Sequence, residues 1–457
     1  MAPVADSPPP TWEALRDQVL VTSTGRRLAE EDGQRALGRG PPHRASKLRL
    51  FHAASEADLR VTLYRDSAAW CPYCQKLWIM LEEKEVPYRI ELINMRSYGE
   101  KPKAFLEKVP SGKLPALELD GRIYTESLDI MAMVDEVFSE ASGHRRMLPP
   151  RGTDAFQRLQ KLLQLERGLF GAWCGYVFHG GPRGKREFDR HMQAVETALG
   201  ESKGPWFLPT DGPCLVDLQY VTHVERMAAS VPYWKGEQIR GCGKYPNMDR
   251  WFEAFEQRPS YMATKSDWYT HIKDIPPQYG PGVPEPASAE FAAGLDGGDA
   301  AWRLPLPPLA SSTAPSDRLQ PGWEAYEAEA PLEAAWRLVA NHGPIARFMA
   351  RGAGPGGGWS AGRPDRAELA DPQAPAPQTA VPGADEALRA VVSLLLDGAA
   401  TPGAVVPPRV TLGGTESQAI ASCCAYLRDR VGVPRDMSYP AARALRATLN
   451  HVIAGLQ

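Results

Sequence analysis

The residues with most chemistry in them fall in "YRDSAAWCPYCQKLW", Tyr64 to Trp78, where Cys71 and Cys74 are separated only by Pro72 and Tyr73. Three chemistries use that spacing: half of a zinc site, a structural disulfide, or a thiol built to react. Zinc would need two more ligands at matching spacing, and Cys174, Cys214 and Cys242 come singly and far away. No second C-x-x-C is present, so no metal is expected. A C-x-x-C that follows a strand in an intracellular chain reads instead as redox chemistry. A thiol at a helix start lies among unpaired backbone N–H groups at the positive end of the helix dipole, which favours the thiolate, and Cys71 is so placed. Cys74 would sit one turn deeper, within disulfide reach, as a resolving or spectator thiol. Pro72 suits the first helical position.

"GKLPALELDGRIYTES" adds two more features. Pro115 opens a strand after Leu114; a cis bond there would expose the Leu114 backbone to an extended, peptide-like ligand. Glu126 and Ser127 begin the next helix, whose first N–H groups can hold a carboxylate. On spacing alone Ser127 can equally be a helix cap, and the two roles are compatible.

The elements that must position these groups are legible from periodicity. A strand is expected over residues 60–66, then the C-x-x-C, then a helix with Leu77, Trp78 and Leu81 at helical spacing. A second strand follows over 88–94 and a helix over about 102–108. Asp120-Gly121 joins two strands as a hairpin, and a helix over 127–138 closes the unit. The order β-α-β-α-β-β-α predicts a mixed sheet with helices packed on it. Residues 150–270 carry long helical patterns and few strand signals, which predicts an all-helical domain.

The rest of the chain is read from composition. At 457 residues it has room for two to four domains. Residues 1–57 read as an N-terminal arm with one helix-like segment. The Pro- and Gly-rich stretch 275–322 reads as a largely extended linker, and 323–457 as a small helical module with four helices. Disordered inserts are expected there at "GAGPGGGWSAGRP" and "DPQAPAPQTAVPG". Adjacent Cys423 and Cys424 read as packing residues, and isolated His342 and His451 as structural.

With 52 basic and 55 acidic residues the net charge is −3, which argues against nucleic acid or an anionic membrane as partner. No apolar run is long enough to span a bilayer and no secretory leader is evident, so a cytoplasmic protein is expected, with a plastid as the other compartment. Seven cysteines, an odd number spread over a long chain, fit a reducing compartment.

Taken together, "CPYC", "GKLPALEL" and "TES" followed by helical patterns resemble a glutathione transferase over about residues 58 to 270. The resemblance implies an α/β thioredoxin-like domain over 58–142 and an all-α transferase domain over 150–274, here with an additional helical module. A cysteine in the catalytic position is similar to the omega-like and glutaredoxin-like classes. The segments "LRLFHAASEADLRVTLYRD" and "YLRDRVGVPRDMSYPAARALR" resemble the iota class of photosynthetic organisms.

Carried over by residue, the resemblance implies that Cys71 forms a mixed disulfide with glutathione, the co-substrate. It also implies that Leu114, before cis Pro115, pairs with the glutathione backbone. Glu126 and Ser127 would hold its γ-glutamyl end, and Lys101 in "GEKPKAF" its glycyl carboxylate. The chain departs from the family at "PCLVD", where Cys214 replaces the usual Ser or Thr cap while Asp217 is kept, which leaves the start of that helix weakly capped.

An electrophile site between the domains would draw on Trp173, Tyr176 and Phe178, although one face of such an aromatic helix must be buried in any case. The implied function is a glutathione-dependent thiol transferase or reductase acting on a small-molecule or protein disulfide or electrophile, compatible with a homodimer. The other reading is a redox-inert binding or assembly protein that engages a protein partner through its C-terminal extension.

Overall fold

The structure is a computed structural model, and it describes residues 8–354, 369, 374–406 and 417–456. The chain divides into two compact units, one of Gly33–Ala292 and the other of Met1–Asp32 with Ala293–Gln457.

The first unit opens on a five-stranded sheet of β1 (Leu48–Arg49), β2 (Val61–Asp66), β3 (Tyr88–Ile93), β4 (Ala116–Leu119) and β5 (Arg122–Tyr124), in the order β1-β3-β2-β4-β5. Only β2 and β3 run parallel; every other pairing is antiparallel. Central β2 is buried at five of its six positions, because helices cover the sheet and its apolar Val61, Leu63 and Tyr64 have nowhere wet to face. Asp120 and Gly121 take φ of 50° and 79°, as a two-residue hairpin turn needs. The two-residue β1 was not legible in the sequence, since periodicity needs a longer run to register.

Helix α1 (Pro72–Glu83) follows β2, α2 (Lys103–Lys108) follows β3, and α3 (Ser127–Val137) follows β5. The all-helical part contains α4 (Asp154–Cys174), α5 (Gly181–Gly200), α6 (Leu215–Lys235), α7 (Pro246–Glu256) and α8 (Trp268–Asp274). Helix α1 packs on α3 with one face and on α6 with another, so even its Gln75 and Lys76 are buried. The weak cap expected at Cys214 is compensated by Asp217, which accepts from Cys214 N at 2.9 Å and Cys214 Sγ at 3.0 Å. The same carboxylate also accepts from Phe207 N and Trp251 Nε1, which ties the start of α6 into the core.

The second unit changes the reading of the chain ends. Residues expected to form an arm over 1–57 divide: 33–57 carry β1 into the sheet, while the described residues 8–32 fold with the C-terminal ones. Trp12 stacks on His342 with ring centroids 4.4 Å apart and donates to Asp385 at 2.8 Å, and Leu15 and Val19 are fully buried. The stretch 275–322 is folded rather than extended, with short helical turns at Pro276–Tyr279, Ala289–Ala293 and Pro315–Arg318. Leu295, Trp302, Leu306 and Leu319 are buried there. Spaced singly among prolines and glycines, they are outweighed in any composition average, yet each finds a core position. The four expected C-terminal helices are present, the first split into Ala330–Ala340 and His342–Met349. Of the two expected disordered inserts, most of the first, 352–364, lies outside the described residues. The second, 371–383, is described from 374 onward and is ordered there, with a 3-10 turn Gln378–Ala380 leading into the helix Val381–Leu396, whose start Pro382 suits as an early helical residue.

Candidate active site

Strand β2 ends at Asp66, and a tight loop with Ala69 at φ 56° delivers Cys71 to the cap position of α1, with Pro72 as the first helical residue. Asp66 Oδ2 accepts from Trp70 N at 2.6 Å and Cys71 N at 3.1 Å, so one carboxylate holds the loop in place. Cys71 retains 8% exposure and Cys74 1%, and both are free thiols. Burial, reinforced by its neighbour Cys71, pushes the Cys74 thiol well above its usual range, so Cys74 is held as S–H. Asp66, Cys71 and Cys74 place one ligand atom each within 4.8 Å of one another, the one such group of three or more among the described residues.

The Leu114-Pro115 bond is cis, and it leads into β4, whose Ala116 pairs with Tyr64 of β2. Leu114 packs against a cluster of Tyr64, Ile93, Phe105, Val109 and Ala116, which leaves its backbone ahead of β4 outside the sheet pairing. Glu126, not Ser127, occupies the cap position of α3, at φ 64°, and its side chain makes no capping bond. Glu126 is exposed, 3.8 Å from Lys113. Ser127 is therefore not the helix cap, and among the described residues no side chain caps the first N–H groups of α3. Lys101 Nζ donates to Asn94 O at 2.8 Å; burial holds it below the usual lysine range against the attraction of Cys74, Cys71 and Asp66.

The aromatic residues expected to form an electrophile pocket separate. Trp173 and Tyr176 are fully buried, with Trp173 Nε1 donating to Ser230 at 2.9 Å and Tyr176 OH to Glu237 at 2.5 Å. Both serve the core, because the inward face of α4 and the π-helical turn Gly175–His179 must be covered. Phe178 is half-buried and stacks on Tyr279 with centroids 5.9 Å apart. Tyr279 also meets Phe170 and Trp173, and its hydroxyl is raised chiefly by burial and by the nearby Tyr73, against the opposing pull of Arg226. Sequence reasoning passed over Tyr279 because it lies in the proline-rich "PPQYG". It passed over Asp66 because an acidic residue at a strand end is an ordinary sight, although its place five residues before Cys71 was the available signal.

Residues 70–137 match the family model described as "Glutathione S-transferase, N-terminal domain". The chain is 32% identical over 200 residues to glutathione S-transferase L1 of Arabidopsis thaliana, taking in 43% of this chain and 79% of that protein. The chain belongs to the glutathione S-transferase family. The transferase is also 30% identical over 203 residues to pyrimidodiazepine synthase of Drosophila melanogaster, 43% of this chain and 78% of that one. To glutathione S-transferase DHAR2 of Arabidopsis thaliana it is 24% identical over 198 residues, with shares of 43% and 84%. The reaction class that comes with membership is a glutathione-dependent transferase or reductase.

The transferase encloses its cysteine helix in buried charge. Lys76 Nζ donates to Gln219 at 2.6 Å, Gln219 Nε2 to Glu166 at 2.9 Å, and His223 Nδ1 meets Glu166 at 2.6 Å. This chain of bonds joins α1 to α4 and α6. Burial lowers Lys76 to about 8. Arg226 of α6 donates to Gln75 Oε1, Glu225 Oε1 and Trp70 O, and its guanidinium lies 4.7 Å from the Trp70 ring centroid. Trp70 Nε1 donates to His271 Nδ1 at 3.1 Å. The residue preceding Cys71 is thus gripped from α6 and α8.

Proposed function

We propose that this transferase is a thiol transferase or reductase in which Cys71 exchanges with glutathione disulfides. The observation that carries the reading is the pairing of an unpaired Cys71 at the start of α1 with a Cys74 that burial keeps protonated. The Cys71 thiolate attacks the glutathione sulfur of a mixed disulfide, forming Cys71–S–SG and expelling the acceptor's thiolate, which takes a proton from water. A second glutathione thiolate then attacks that disulfide, giving oxidised glutathione and restoring Cys71. Net, one free glutathione thiol is consumed, the acceptor sulfur leaves as a thiol, and the disulfide passes to oxidised glutathione. A dehydroascorbate-type acceptor instead consumes two glutathione thiols, which supply the two electrons and two protons it takes up and end as oxidised glutathione.

In this reading the Leu114 backbone beside cis Pro115 pairs with the extended tripeptide, the start of α3 at Glu126 and Ser127 holds the γ-glutamyl end, and Lys101 faces the glycyl carboxylate. Phe178 and Tyr279 form the apolar wall for the acceptor. The reading is supported by the family and by the half-buried faces of these rings.

The test is exchange between glutathione and a glutathionylated peptide, using the full chain and Cys71→Ser. Loss of turnover in the variant is expected. Retained turnover would sink the role of Cys71, and an inactive parent protein would favour the redox-inert binding reading. A protein cut near Asp274 is a poor control, since residues 8–32 fold with the described residues beyond 293.

A further inference from the structure

Thiol exchange by the proposed route uses one sulfur, yet the site gathers three ligand atoms. Asp66, Cys71 and Cys74 are exposed by only 1%, 8% and 1%, and their ligand atoms lie within 4.8 Å of one another. A tetrahedral site with metal–sulfur bonds of about 2.3 Å spaces its sulfurs about 3.8 Å apart, inside that limit. Both hydrogen bonds to Asp66 end on Oδ2, which leaves Oδ1 outside them. Arg65, Lys76 and Lys101 are attracted to this cluster, Arg65 by Asp66 and Cys74, Lys76 by the two cysteines, and Lys101 by all three. They offset the negative charge that two thiolates and a carboxylate would bring together.

Two sulfurs and one oxygen disfavour Mg²⁺ and Ca²⁺, which take oxygen ligands. The same set matches a thiophilic d¹⁰ cation, with the fourth tetrahedral position left for water or an incoming thiolate. We propose that Asp66, Cys71 and Cys74 form a site for a thiophilic divalent cation of the Zn²⁺ or Cd²⁺ class, and that filling it stops thiol exchange. Binding makes two metal–thiolate bonds and one metal–carboxylate bond, and each sulfur that still carries a proton gives it up to solvent; no electrons move. The inhibitory half rests on the reading of Cys71 as nucleophile, whereas the binding half does not.

The experiment titrates the reduced full chain with Cd²⁺ in thiol-free buffer and follows the ultraviolet cadmium–thiolate charge-transfer band, proton release and, separately, disulfide exchange. One ion per chain is expected, with exchange lost in parallel and restored by a chelator. Cys74→Ala and Asp66→Asn should each weaken binding at least about tenfold. Circular dichroism reports whether each variant folds, and Cys74→Ala carries the test should Asp66→Asn unfold. Equal binding by Cys74→Ala and the parent, or a band that persists in a Cys71→Ser, Cys74→Ala double variant, would overturn the site. A normal band with exchange unaffected by the metal would overturn the inhibitory half alone. If exchange proves independent of Cys71 while the band behaves as expected, the mechanism fails and the metal site stands.

Discussion

The chain holds two close pairs of cysteines, one in each compact unit, and they differ in everything except composition. Cys71 and Cys74 open a helix beside a carboxylate, with lysine and arginine side chains in electrostatic reach. Cys423 and Cys424 lie inside the helix Ser417–Arg428, at 1% and 0% exposure. Burial pushes these two up to about 11 and about 12. A thiol at a helix start meets the free N–H groups of its own first turn, whereas inside a helix those flanking backbone groups are already paired and burial dominates. Place on the helix, more than residue type, separates a reacting cysteine from a packing one.

The contrast breaks most sharply on activity. Cys71→Ser is expected to lower disulfide exchange by at least about 10³-fold, and Cys423→Ser to leave it unchanged; comparable losses would erase the distinction. The polar surroundings of the first pair come next. Arg226→Met removes the ion-pair partner next to buried Glu225, leaving it the neutral donor Tyr261 and more distant charges, and removes the donor to Trp70 O, so urea denaturation should show a loss of about 3–5 kcal/mol.

Reactivity is the third measure. Iodoacetamide labelling read by mass spectrometry should modify Cys71 on the order of 10²-fold faster than Cys423 or Cys424 in the native protein, with the rates converging in denaturant. Cys424→Ala should cost about 1–2 kcal/mol through lost packing without altering exchange.

The smallest effect is on pH dependence. Burial and Arg226 hold His271 well below its usual range, and its Nε2 stands 3.6 Å from Glu225, beyond hydrogen-bond reach. Burial likewise lowers His223. Their folded forms stay neutral where a free imidazole takes a proton, so the unfolded chain binds more protons as pH falls below about 6.5. Stability should therefore fall in that direction, by at most about 1.4 kcal/mol per pH unit for each group. His271→Gln should flatten the loss between denaturation curves taken at about pH 7.5 and pH 5.5.

Much of the sheet unit was legible because its signals are local. The run from Val61 to Asp66, the Pro72 helix start and the Asp120-Gly121 turn each announce themselves within a few residues. The cis Leu114-Pro115 bond was also read correctly, from a motif. Ser127 was read as a candidate cap from its type, whereas the backbone puts Glu126 at that position. Trp173 and Tyr176 were suggested for a pocket because helical spacing says that a face is buried but not what buries it.

By itself the sequence determined the order of strands and helices around the cysteines and the placing of Cys71 at a helix start, through periodicity and turn chemistry that act over one or two turns of chain. Only the tertiary structure decided that Lys76 and Gln75 are buried, that Tyr279 faces Phe178, and that residues 8–32 fold with the described residues beyond 293. These depend on contacts between residues far apart in the chain, such as Arg226 with Gln75, 151 positions away. No local pattern records which distant side chain will supply the charge, the acceptor or the apolar face that makes such a burial stable.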